Sequence, residues 1–163
     1  MISAKLEDAI NGQINKELFS SYLYLAMAAH FEAANLPGFG VWMKTQAEEE
    51  RGHAMRLWEF LYDRGGKVVL QAIENPTKAF GKPREIFEEA LAHERKITAS
   101  INALHALAGE EKDVSAQIFL QWFINEQVEE EKNASTIIEQ LKMSGDQSFG
   151  LLFMDRHVLG ERK

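Results

Sequence analysis

Residues 84–108 read REIFEEALAHERKITASINALHALA. Phe87, Ala90, Ile97, Ile101, Leu104 and Ala108 recur every three or four positions, the stripe of a helix that buries one face. Between Ala90 and Ile97 the stripe passes through Glu94, a charge on what is otherwise a core face. Pro83 suits a first helical turn, and Gly109 is placed as a stop. Working outward, 3–34, 37–64 and 114–143 show the same period over similar lengths. Leu6, Ile10, Ile14, Leu18, Ser21, Leu25 and Ala28 line the first segment; Met43, Leu57, Phe60 and Leu61 the second. Ala116, Leu120, Phe123, Ala134, Ile137 and Leu141 line the fourth. Pro37 opens the second segment, and Gly65-Gly66 and Gly145 are further stops. Four amphipathic helices of similar length predict an all-α four-helix bundle occupying the whole chain as one domain.

The connection over 65–83 sets the topology. A helix the length of the second segment spans about 40 Å, and an extended connection of this size reaches up to about 60 Å. Helices two and three can therefore run parallel, joined by a long crossover, with antiparallel neighbours elsewhere. A short fifth helix is expected near 148–158, where Phe149, Leu151, Leu152, Phe153 and Met154 are strongly apolar. It either caps its own bundle or buries against neighbouring subunits.

Composition narrows function. The chain has 163 residues, 45% hydrophobic and 26% charged, which excludes a mainly disordered polymer. It contains no cysteine, so disulfide scaffolds, thiolate metal sites and cysteine nucleophiles are excluded. A net charge of −7 repels phosphate backbones and attracts cations, so no nucleic-acid partner is expected. Lys5, Glu7 and Asp8 interrupt the start where a signal peptide would be apolar, and no run approaches a membrane span. A cytoplasmic protein is expected.

Every seam is broken once by polar residues, and each break lies near the middle of its helix. The breaks are Glu17 in the first, Gln46, Glu50 and His53 in the second, Glu94 in the third, and Gln127 with Glu130 in the fourth. Midpoints of similar-length helices share one level whichever way each runs, so these side chains should meet in the core. Buried carboxylates cost several kcal/mol each unless they are paired or bind metal. No lysine or arginine stands at a mid-seam position to neutralise them. Two divalent cations would balance four carboxylates, and hard oxygens with one imidazole suit iron or manganese, zinc being possible. Glu50-Arg51-Gly52-His53 adds a Glu-x-x-His spacing that puts both donors on one face of a turn. From the residues alone three readings stay open: an iron-storing oxidase, a di-iron enzyme with an organic substrate, and a metal-free structural bundle.

Glu17 with Tyr24, Glu50-x-x-His53, Glu94, and the run Gln121-Trp122-Phe123…Glu126-Gln127-Val128-Glu129-Glu130 resemble non-haem prokaryotic ferritin along essentially the whole chain. The resemblance implies a cage of 24 subunits that oxidises Fe(II) with O2 or H2O2 at a di-iron centre and stores the product as a mineral. It implies that Glu17, Glu50 and His53 hold a first iron, and that Glu50 bridges to a second held by Glu94 and Glu130, with Gln127 close by. Glu49, Glu126, Glu129 and Glu130 match a third iron site, Tyr24 a tyrosine beside the centre, and Trp122 a nearby aromatic. Bacterioferritin differs by a second Glu-x-x-His, where this chain has Gln127 and Glu130, and by a haem methionine, where it has Arg51; no haem is expected. The positions that line three-fold pores in animal ferritins read Gln117 and Leu120 here, so that way in is not carried over. Glu129-Glu130-Glu131 would ordinarily be a solvated run. His30, His93, His105 and His157 have no ligand-spaced partner on their own helices and are expected to be surface or cap residues.

Overall fold

Each long helix starts where a side chain or a proline deals with its unpaired N–H groups. In the computed structural model, which describes residues 1–76, 79–145 and 147–159, α1 runs Ala4–Ala33, α2 Pro37–Asp63, α3 Pro83–Glu110 and α4 Val114–Ser144. The Ser3 hydroxyl accepts from the Leu6 N–H at the start of α1 (3.2 Å). Pro37 and Pro83 occupy first turns, as expected. Asp113 accepts from the Ala116 N–H at the start of α4 (3.0 Å), while both guanidinium nitrogens of Arg64 grip its carboxylate at 2.9 Å. That guanidinium holds the Asp113 carboxyl below its ordinary range.

The helix ends give the topology. Arg64, just past α2, meets Asp113, just before α4, and Lys5 early in α1 pairs with Glu110 at the end of α3 (3.5 Å). These four ends therefore share one pole. At the other pole Phe31 stacks on Phe39, centroids 4.9 Å apart, and leans on Phe87 at 6.2 Å. So α2 and α3 are parallel, and α1–α2 and α3–α4 are antiparallel pairs. The crossover is tied to α1 by Asn11, which donates to the Lys67 carbonyl (2.9 Å) and accepts from the Val69 N–H (2.8 Å).

The core is in two parts. One apolar cluster holds Tyr24, Met27, Phe31, Phe39, Met43, Phe87 and Ile138. The other holds Leu6, Ile10, Ile14, Leu57, Ile101, Leu120 and Phe123. The polar mid-seam residues occupy the level between them.

The expected face of α1 needs correction. Leu25 is 44% exposed and Leu18 and Ser21 are only partly buried, whereas Gln13, Glu17, Ser20, Tyr24, Met27 and Phe31 are buried. Those positions step 4, 3, 4, 3, 4. That is the heptad rhythm of helices supercoiled at a shallow angle, so a stripe drawn at a straight-helix period drifts off the core. Gly109 does not stop α3, which continues through Glu110; the left-handed residue after it is Lys112, at φ 56°. Gly65 (φ 74°) and Gly145 (φ 65°) are stops as read. Leu120 is fully buried, so it does not face a pore.

The tail forms α5, Ser148–Phe153, and continues as wider π-helical turns over Met154–Leu159. It caps its own bundle: Met154 is buried against the first cluster, and the Asp155 carboxylate accepts from the Phe39 N–H in the first turn of α2 (2.9 Å). Gly38 makes room, since a Cβ there would lie 1.6 Å from the Asp155 carbonyl oxygen. Phe149, Leu152 and Phe153 remain exposed. Asp155→Ala should lower the melting temperature by roughly 3 °C, the loss of one helix cap, while Asp155→Asn retains most of it. A thermal melt in which both variants match the parent would show that the cap contributes nothing.

Candidate metal centre

Glu17, Glu50, His53, Glu94, Gln127 and Glu130 are all buried, each at 5% exposure or less, at the level between the two apolar clusters. The heptad positions of α1, α2, α3 and α4 bring them there, as the seam interruptions predicted. Glu17, Glu50 and His53 each offer a donor atom to one point, these atoms lying within 4.8 Å of one another. His53 turns Nδ1 towards Glu50 Oε2 (3.4 Å) and Nε2 towards Glu126 Oε1 (3.8 Å). A second trio, His53, Glu126 and Glu130, satisfies the same 4.8 Å condition. Its imidazole is common to both.

The remaining contacts are specific. Tyr24 donates its hydroxyl to Glu94 Oε1 (2.5 Å), and Gln127 donates its amide to Glu94 Oε2 (3.1 Å) and to the Glu94 carbonyl (3.2 Å). Gln127 therefore braces Glu94 through its amide nitrogen. Gln46 donates to Glu130 Oε2 at 2.6 Å. Trp122 stands edge-on to the His53 ring, centroids 5.4 Å apart, with the Arg56 guanidinium 4.2 Å over its indole. Arg51, the position of bacterioferritin's haem methionine, pairs with Glu48 (3.9 Å).

Charge is heavily strained here. Burial, and then the charge of Glu50, pushes Glu17 well above the ordinary carboxylate range; burial and the charge of Glu94 do the same to Glu50. Glu94 is also raised by burial, against the lowering effect of its two donors. Glu130 is raised to about 7 by burial and by Glu94 and Glu49. Tyr24 is held well above its usual value by burial and by Glu94.

Among the described residues, Glu17 Oε2 and both oxygens of Glu50 are buried without any hydrogen-bond partner. Native proteins rarely tolerate orphaned buried acceptors, and charged ones cost most. The atoms left over face a histidine and further carboxylates, and no lysine or arginine is buried among the described residues. This donor set of hard oxygens with one nitrogen fits divalent iron, manganese or zinc.

The third-site residues are only partly gathered. Glu130 is buried, Glu49 and Glu126 are half-buried, and Glu129 is exposed and in neither trio. Sequence reading passed over Gln13, which donates to Glu17 Oε1 (2.8 Å). The available signal was its place one turn before Glu17 in the heptad rhythm. His93 also departs from the expected surface role: it is half-buried against Phe19 (5.8 Å) and 2.7 Å from the Ser20 hydroxyl. Burial, and then Lys96, lowers its pKa to about 4.

Comparison with known proteins covers the whole chain. The family described as ferritin-like domain matches residues 7–144. Bacterial non-heme ferritin of Bacteroides fragilis (strain 638R) is 43% identical over 162 residues, 99% of this chain and 100% of its own. That of Staphylococcus epidermidis (strain ATCC 35984) is 36% identical over 158 residues, 97% of this chain and 95% of its own. The crystal structure of an open-pore ferritin from the hyperthermophilic archaeon Archaeoglobus fulgidus superposes with a TM-score of 0.97 at 43% identity, each chain covered in full. Identity of this order, sustained from one end of the chain to the other, makes it a member of the ferritin family.

Proposed function

We propose that this chain stores and detoxifies iron in the cytoplasm. Residues 1–163 act as a single ferritin-like domain. In this reading it oxidises Fe(II) to Fe(III) with O2 or H2O2 at an intrasubunit centre for two irons, and deposits the product as a mineral inside a shell of 24 copies. Glu17, Glu50 and His53 take the first iron. Glu50 reaches the second, which Glu94 and Glu130 hold. The half-buried Glu49 and Glu126, with Glu130 and the exposed Glu129, offer a third position on the way out. No haem enters this reading. The observation that carries it is the set of orphaned oxygens on Glu17 and Glu50, with no lysine or arginine buried beside them among the described residues.

Iron is the substrate, and the residues bind and release it. Two Fe(II) give up one electron each. O2 accepts the pair with two protons to leave as H2O2, or H2O2 accepts them to leave as water. Carboxylates with raised pKa values give up their protons as the cations arrive, so loading releases protons and strengthens with pH. Tyr24 and Gln127 hold Glu94 in place through each loading and release.

Anaerobic addition of Fe(II) followed by air, with light scattering on the product, tests the reading. The expected result is rapid Fe(III) absorbance, iron retained per particle far in excess of the binding positions in its subunits, and a mass near 24 subunits. A small oligomer that keeps only its first few irons and mineralises nothing would overturn it.

A further inference from the structure

Glu17 is held from outside the iron layer by a chain of donors that begins at the surface. Lys16 Nζ donates to Ser100 Oγ (2.5 Å), Ser100 donates its hydroxyl to Gln13 Oε1 (2.6 Å), and Gln13 Nε2 donates to Glu17 Oε1 (2.8 Å). The chain joins α1 to α3 across 84 residues of sequence, and Gln13 within it is buried at 2% exposure. Each step has a direction imposed by the one before. An ammonium group can only donate, so the Ser100 oxygen accepts and its single proton is free for Gln13. That proton fixes the amide oxygen of Gln13 towards Ser100, which turns the NH2 towards Glu17. Glu17 Oε1 is then occupied, and Oε2 is the oxygen left without a partner.

We propose that Gln13 is a positioning residue for iron, which with Ser100 and Lys16 makes Glu17 a one-oxygen ligand by occupying its other oxygen. Glu17 would otherwise be free to grip a cation with both oxygens, filling a coordination position that the oxidant needs and slowing release of the product. The chain belongs to the outer side of the bundle, where Lys16 is exposed and the crossover residues Gln71, Ala72 and Glu74 line the same cleft. It lies apart from the Glu126 and Glu130 side, so it adjusts the first iron position without touching the others. The inference rests on the reading of Glu17, Glu50 and His53 as an iron site.

Co(II) titration of the metal-free protein, read by visible absorption, tests it, because the intensity of the cobalt bands reports coordination number. The parent should bind a first Co(II) with strong, low-coordinate bands. Gln13→Leu keeps the size of the side chain but not its donor. It should weaken these bands towards those of a six-coordinate ion and slow release of the first Co(II) to a chelator by about tenfold, the scale on which a ligand's outer partner acts. Ser100→Ala and Lys16→Met, both outside the core, should shift the bands in the same direction by less, and Ser100→Thr should restore them. Should Gln13→Leu fail to fold, these two variants carry the test. Parent-like bands and release in Gln13→Leu, or in both outer variants, would overturn the proposal. No Co(II) binding by the parent would instead overturn the reading of the centre itself.

Discussion

Fe(II) oxidation falls by at least about a hundredfold when Glu50→Ala and His53→Ala are combined, because the change removes the shared carboxylate and the imidazole donor. Both side chains are buried inside the subunit, at 0% and 5% exposure, so neither contributes to contacts between copies. The metal-free fold should tolerate the change: Glu50 has two orphaned oxygens, and deleting it removes one of the mutually repelling acids. Stopped-flow absorbance for Fe(III), with gel filtration on the same sample, separates chemistry from assembly. An oxidation rate equal to the parent's would place the centre elsewhere.

Glu130→Gln should stabilise the metal-free protein at pH 8 by an amount of order 3 kcal/mol, and should do nothing below the unfolded carboxylate pKa. The size follows from a carboxyl raised from 4.5 to about 7, at about 1.4 kcal/mol per unit. The sign follows from linkage. Below 4.5 the carboxyl is protonated folded and unfolded, so glutamate and glutamine differ little. Between 4.5 and 7 the unfolded state ionises first and the parent loses stability; above 7 the loss is complete. His93 has the opposite tendency, since its lowered pKa costs stability as pH falls from its ordinary 6.5 towards 4. Comparing variant with parent at each pH cancels that contribution. The Gln46 amide that meets Glu130 Oε2 can donate equally to a glutamine oxygen. Glu94→Gln is the poorer choice, because Glu94 accepts from both Tyr24 and Gln127 and an amide there has an oxygen for only one of the two. Urea melts at pH 4 and pH 8 check the two ends of this range, and Zn(II) added at pH 8 should stabilise the parent more than the variant. A destabilised Glu130→Gln at pH 8 would mean that the layer is held by internal pairing and has no need of metal.

The bundle and its polar layer were legible because both depend on period. A charge at Glu94 in the stripe of α3 stands out against Phe87, Ala90 and Ile97 whatever the helix packs on. Shared level followed from helix length, and the crossover from chain reach. Details that depend on a neighbour were not legible. The buried face of α1 turned on supercoiling, which moved Leu25 out and Gln13 in. Glu126 and Glu129 are one turn apart in any helical register, yet only the fold decides that Glu126 joins a trio while Glu129 stays exposed, and that Glu49 comes up from α2. His93 looked like a surface residue because its covering comes from Phe19 and Ser20 on another helix. Gly109 resembled a stop, but α3 runs on through Glu110 and the left-handed residue is Lys112.

The division of the core into two apolar clusters leaves the molecule a polar waist. Ordinary helices loosen first at their tips, where hydrogen bonds are unpaired. Here the tips are sealed by Ser3, Asp113 with Arg64, and Asp155, and the break in apolar packing is halfway along. Empty, that level holds four carboxyls that must keep protons or repel one another; on the proposed function, metal there would rivet all four helices. Cargo would then stiffen its carrier at the spot where it docks, and its departure would restore the looseness that admits the next load.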